Sequence, residues 1–278
     1  MITIPFDPIA IQIGPFELRW YGMFLSLAVV WLVVWMWLQV RRGAKISMDT
    51  VLTLALVGIP SGIVFARLMH VFDDIVVKAG QGGTSIYVSD PVRIIGGEGL
   101  TAYGAVLGAA LGVWTFCRIR KMKIGYVFDL VAPGVISAQA IGRLGCIFNG
   151  CCPGVQTDVP WGLFYTYPTS PGFGTGVTEP AVVYELFYNL AVFALLVKLR
   201  GKFKPDGSLF VIYLALYSAW RVGIDFVRVG QPFFLGLHQA QFIGIVSLLI
   251  TVPWMLKNMR LARPELPVAL PPEANTPA

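Results

Sequence analysis

Seven apolar stretches, at residues 20–40, 51–71, 95–116, 126–148, 181–199, 208–228 and 237–257, constrain this chain more than any other feature. Each is close to the roughly twenty residues that a hydrocarbon layer about 30 Å thick requires of a spanning helix. So much apolar sequence does not fit a soluble core, and only 13% of the 278 residues are charged, against about 25% in ordinary soluble domains. Because backbone polar groups in lipid must be satisfied internally, the spans must be helices. The chain is expected to be an all-α integral membrane protein with seven transmembrane helices.

The net charge of +6 would suit nucleic acid, but the basic residues are distributed by topology instead. Fourteen of the 21 follow the first, third, fifth and seventh spans, among them Arg41, Arg42, Arg118, Lys121, Lys198, Lys202 and Arg260. The positive-inside rule then puts the N-terminus outside and the C-terminus in the cytoplasm. Residues 1–19 lack a cationic start and a cleavage site, so they do not read as a removable signal peptide. Their alternation, turning at Gly14-Pro15, suits a short hairpin in a small outer surface arm, and an ordinary lead-in to the first span is the other reading. Residues 20–260 form the membrane domain, 151–180 a long aromatic outer loop expected to be structureless, and 261–278 a disordered cytoplasmic tail.

Inside the spans, polar residues are few and costly. Arg143 sits near the end of the fourth span, where an arginine at membrane depth costs about 2.5–3.5 kcal/mol on insertion scales. Gly134, Ala138 and Gly142 precede it at helical spacing and offer a close-packing face. Gly145, Asn149, Gly150, Pro153 and Gly154 follow, too many breakers for a helix expected to end soon after Arg143. In the sixth span Tyr217, Arg221, Asp225 and Arg228 recur at spacings of four and three, which places them on one helical stripe, expected to line a polar cavity, with an internal Arg221–Asp225 ion pair as the other reading. Arg67 has no carboxylate in its own turn and needs a partner on another span, while Glu98 and Tyr103 lie near the outer end of the third. Arg143 and Arg221, with Arg67 as a third candidate, call for an anion in the outer half of the membrane, where the abundant one is a phospholipid phosphate, a group arginine grips through paired hydrogen bonds. Cys146, Cys151 and Cys152 have no nearby histidine and form a poor zinc signature; on an oxidising side, a disulfide from Cys146 to either neighbour is the other reading. No metal or cofactor is expected.

The run Gly142-Arg143-Leu144-Gly145-Cys146-Ile147-Phe148-Asn149-Gly150-Cys151-Cys152-Pro153-Gly154 resembles the G-R-x-G-N-F-x-N-x-E-x-x-G motif of the bacterial prolipoprotein diacylglyceryl transferase family. Trp20-Tyr21-Gly22, Arg67, Gly99-Leu100-Thr101-Ala102-Tyr103-Gly104, Pro180 to Glu185, Tyr217 to Arg228 and Gln241 resemble its other motifs in order. Tyr103 stands where that family has histidine, Cys146 where it has asparagine, Cys151 where it has glutamate, and Asp225 where it has glutamate. The resemblance implies transfer of the diacylglyceryl group of phosphatidylglycerol, in the bacterial cytoplasmic membrane, onto the lipobox cysteine thiol of a prolipoprotein signal peptide. It implies catalytic roles for Arg143, Arg221 and Tyr103, and substrate contacts for Tyr21, Arg67, Asn149, Gly154, Glu185, Tyr217, Asp225 and Gln241. A phenol with a pKa near 10 is a weak base for a thiol near 8.5, so Tyr103 is expected to position substrates or shuttle a proton. The alternative is a phospholipid-binding membrane protein of the same fold without this chemistry; a transporter would call for an inverted repeat, and none is visible between the halves.

The native chain is expected to support growth of cells depleted of their own transferase, with Tyr103→His doing so at least as well. Failure of both in a membrane where both accumulate would reject the transfer reading.

Overall fold

The computed structural model describes residues 1–262, apart from Pro15, Gln81, residues 97–100, Gln231 and Leu235. Among the described residues nine α-helices carry the architecture: α1 (Trp20–Arg41), α2 (Met48–Gly80), α3 (Ile86–Ser89), α4 (Arg93–Gly96), α5 (Ala102–Ile119), α6 (Ile124–Asn149), α7 (Ala181–Leu199), α8 (Ser208–Ile224) and α9 (Gln239–Asn258). Among the described residues six helices are long and apolar enough to cross a membrane: α1, α2, α6, α7, α8 with its continuation to Val227, and α9. The span expected at 95–116 corresponds to α5, whose apolar part, Gly104–Ile119, is shorter. Much of the surface is apolar, with Leu56, Leu249, Ile250 and Leu256 each more than 60% exposed, as lipid contact requires and water penalises.

α6 is the hub. Its Ala132 and Ile136 pack with Val192 and Leu196 of α7 and with Leu209, Ile212 and Tyr213 of α8. On its other side Leu130 meets Trp35 and Met36 of α1 and Val51 of α2, and Val127 meets Leu54 and Cys117. Polar groups tie the same contacts, because nothing in lipid would satisfy them otherwise. Trp31 Nε1 donates to Ser137 Oγ at 2.8 Å, and Trp35 Nε1 to the Leu130 carbonyl at 2.9 Å. Asp129 of α6 accepts the Gly207 and Phe210 amides, at 2.7 and 2.9 Å, and so caps α8 from a neighbouring helix.

Glycines set how closely helices approach. A Cβ on Gly134 would lie 2.5 Å from Trp35, and one on Gly145 would lie 2.9 Å from Phe24 Cβ and 3.3 Å from the Tyr21 Cα, whereas Gly142 faces open space. The close-packing face of α6 is thus Gly134 and Gly145 against α1, not the Gly134–Ala138–Gly142 row. Gly104, Gly108 and Gly112 of α5 all face α2 so closely that any side chain there would strike Phe65, Ala66 or Ser61.

Several boundaries differ from expectation. α6 continues six residues past Arg143, because Gly145 serves packing rather than termination; Gly150, at φ +70°, ends it as a left-handed cap. α2 runs to Gly80, nine residues past the end of the span expected at 51–71, and the short helices α3 and α4 follow it. Residues 151–180 are not structureless: β4 (Leu163–Tyr165) pairs in parallel with β1 (Ile2–Ile4), and bridges join Gln156 and Leu163 to Thr178. The hairpin is present as β2 (Ile9–Ile13) and β3 (Phe16–Arg19). The expected tail begins inside structure, since β8 (Arg260–Leu261) pairs with β5 (Phe203–Lys204); residues 263–278 lie outside the described ones.

Gly108→Val is expected to lower the thermal stability of the detergent-solubilised protein by about 1–3 kcal/mol, the usual cost of overpacking. A Cβ there meets the Ser61 carbonyl at 2.5 Å, with Phe65 nearer still. The same change at Gly142, which faces open space, should leave the melting temperature near native.

Candidate active site

The loop-bearing end of the bundle gathers an ion cluster around Glu185. Pro180 opens α7, a residue suited to a helix start, and Glu185 follows in its second turn with 1% of its side chain exposed. Arg143 of α6 donates from Nη2 to Glu185 Oε1 at 2.6 Å. On the other oxygen, Arg228 Nη1 donates to Oε2 at 3.2 Å, and Arg221 Nη1 of α8 lies 3.8 Å away. Arg221 also reaches Asp225 across one helical turn, 3.5 Å from Nη2 to Oδ1. Asp225 Oδ2 meets His238 Nδ1, at the start of α9, at 2.9 Å.

Three guanidinium groups and two carboxylates leave a net positive charge even with His238 neutral. Arginine does not deprotonate in proteins, so the surplus stays. The site is built to prefer an anion, and its cations are held in advance by one carboxylate. The arginines at 143 and 221 meet opposite oxygens of the same carboxylate.

Arg228 is the residue that sequence reasoning left out of the site. It lies on the expected stripe but not on the helix: α8 stops at Ile224, a 3₁₀ turn covers Asp225–Val227, and Arg228 is extended at φ −111°. Its backbone is held by the loop, with Gly154 bridging to it and the Val155 amide donating to the Val227 carbonyl at 3.0 Å. That is the work of Gly154, where a Cβ would strike Glu179 and lie 2.8 Å from the Val227 carbonyl. Its signal in the sequence is the three-residue spacing from Asp225. His238 carries none, since its partner Asp225 comes from the turn after α8.

The remaining candidates divide by distance from this cluster. Tyr217 and Tyr21 both act electrostatically on or with Arg143, and Tyr21 stands where α1 crosses Gly145. Asn149, in the last residue of α6, is buried, and its Oδ1 has no hydrogen-bond partner among the described residues. Gln241 is buried; its Oε1 accepts the His238 amide at 3.0 Å and its Nε2 donates to the Val222 carbonyl, joining α9 to α8. Among the described residues, Arg67 meets the short helices α3 and α4. Its Nε donates to the Ile94 carbonyl at 2.9 Å, its Nη2 to the Arg93 carbonyl, and its guanidinium lies over the Tyr87 ring. Tyr103 begins α5, but its side chain, like Glu98, lies outside the described residues.

Residues 8–257 match the family described as prolipoprotein diacylglyceryl transferase. The chain belongs to this family. Relatives named phosphatidylglycerol–prolipoprotein diacylglyceryl transferase include one from Dehalococcoides mccartyi, 42% identical over 94% of this chain and 96% of its own length. Others are from Rhodococcus jostii, 36% identical over 81% of this chain and 66% of its own, and Thermosynechococcus vestitus, 29% identical over 86% and 87%. Within this diacylglyceryl transferase family member the cysteines at 146, 151 and 152 are free thiols, and Arg143 Nη1 lies 3.7 Å from Cys146 Sγ. Hydrogen bonds from the Cys146 and Cys151 thiols, with the charges of Arg228 and Arg143, pull the Cys152 thiol below its ordinary range against the effect of burial.

Glu185→Leu removes the shared counter-charge of three buried cations, and breaking such a pair costs about 3–5 kcal/mol. The expected result is a large drop in melting temperature in detergent. Asp225→Asn, which leaves Glu185 in place, should fall by much less.

Proposed function

We propose that this protein transfers the diacylglyceryl group of phosphatidylglycerol to the lipobox cysteine thiol of prolipoproteins, at the outer face of the bacterial cytoplasmic membrane. The observation that carries the proposal is the convergence of Arg143, Arg221 and Arg228 on Glu185 with positive charge to spare. The names of the relatives, which specify phosphatidylglycerol and prolipoprotein, support the same reading. In this reading α5 completes a set of seven spans, the N-terminus and the loop 151–180 face outward, and the basic ends of the helices face the cytoplasm.

The reaction forms a carbon–sulfur bond at the terminal glyceryl carbon and breaks the carbon–oxygen bond to phosphate, releasing glycerol phosphate. Negative charge grows on the departing phosphate oxygens, so the chain's task is to have cations fixed where that charge appears. Arg143 and Arg221 are those cations in this mechanism, and Arg228 reinforces them. Glu185 holds them at its two oxygens before substrate arrives, so little reorganisation is left for the reacting complex. The unpartnered Asn149 Oδ1 is suited to accept a glycerol hydroxyl, while Tyr21 and Tyr217, the two phenols near Arg143, orient the headgroup. Tyr103 positions the substrates or relays a proton.

With labelled phosphatidylglycerol and a lipobox peptide in detergent, Arg143→Ala is expected to lower the transfer rate by about 10²–10³-fold, the usual loss when one stabilising donor is removed. Arg143→Lys should recover little of it, because an ammonium does not reproduce the paired donors. Full activity in Arg143→Ala would reject the mechanism.

A further inference from the structure

Cys146, Cys151 and Cys152 are not explained by the arginine cluster, and the fold does something with them that their spacing does not suggest. Gly150, at φ +70°, and Cys152, at φ +61°, turn the chain back over the end of α6. A left-handed conformation is uncommon for a residue with a Cβ. The reversal brings the three Sγ atoms within 4.8 Å of one another. They lie under the loop, packed with Leu163, Tyr165 and Val182. From these positions we propose that Cys146, Cys151 and Cys152 form a three-thiolate site for a zinc-class metal ion, whose fourth coordination position takes the acceptor cysteine thiol.

The geometry is close to what such an ion needs. Zinc–sulfur bonds of about 2.3 Å put tetrahedral sulfurs about 3.8 Å apart, so the three Sγ atoms need to close by no more than about 1 Å. The charge also fits: three thiolates and a divalent ion carry a net single negative charge, and Arg143 Nη1 lies 3.7 Å from Cys146 Sγ. Three protein ligands and one open position form the arrangement of a catalytic rather than a structural zinc.

The consequence bears on the transfer reaction, and this part rests on the function proposed above. An acceptor thiol that coordinates the ion loses its proton to water as the metal–sulfur bond forms. The resulting thiolate then attacks the glyceryl carbon; the carbon–sulfur bond forms, and the carbon–oxygen electron pair leaves with the phosphate held by Arg143 and Arg221. A chain with Tyr103 where the family has histidine would then need no strong side-chain base.

The test uses the full chain purified in detergent under reducing conditions, stripped with a chelator and reloaded with Zn(II) or Co(II). Native protein and Cys117→Ala, whose thiol is buried between α5 and α6, should retain one metal per chain, while Cys151→Ser and Cys152→Ser lose it. The Co(II) form should show tetrahedral thiolate bands that shift on adding a lipobox cysteine peptide and not its serine analogue. No stoichiometric metal, or metal equally retained by the serine variants, overturns the site. Bands unmoved by the cysteine peptide, or full diacylglyceryl transfer by the stripped protein, overturn its role while the transferase reading stands. Bands that shift in a loaded protein that transfers nothing uphold the site and reject the transferase reading instead.

Discussion

One buried carboxylate organises the functional end of this protein. Glu185 meets guanidinium groups from α6, from α8 and from the segment after α8, and each of those cations would be expensive in its place without it. The arrangement is asymmetric in charge. A single acid shared by three bases cannot neutralise them, and Asp225, turned partly toward His238, does not complete the balance. The site therefore holds its cations in position without quenching them, which is what binding an anion and stabilising its departure both require.

The rest of the fold can be understood as what keeps those elements in register. α6 is central because it packs on α1, α7 and α8 at once, and it delivers Arg143 only because Gly145 lets α1 press against its last turns. The loop after α6 is as much a part of the scaffold as the helices. It is stitched to the N-terminal strand β1 and to the chain end of α8, and Gly154 sets the backbone that aims Arg228 at Glu185. Gln241 does the corresponding work for His238 and Asp225 by joining α9 to α8.

Much of the fold could be read from hydrophobic length and the placement of basic residues, because the lipid layer leaves a chain few alternatives. The pairing of β2 with β3, the tight packing of the α5 glycines and the ion pair Arg221–Asp225 all follow from local spacing. Local spacing misled at Gly145, where a helix breaker in water becomes a packing residue in a bundle, and across residues 151–180, whose strand pairs with a segment 161 residues earlier in sequence at Leu163 and Ile2.

The sequence by itself determined that the chain belongs in a membrane, that arginine is its embedded cation, and that residues 143, 221 and 185 carry charge near one end of their spans. Tertiary structure alone decided that these charges share a single acid, that Arg228 joins them from outside a helix, that Arg67 is held by the short helices, and that three thiols meet. The physical reason is that periodicity governs which side of its own helix a residue occupies. Which charges meet is settled by close packing between helices and by loop backbones that have no period to read.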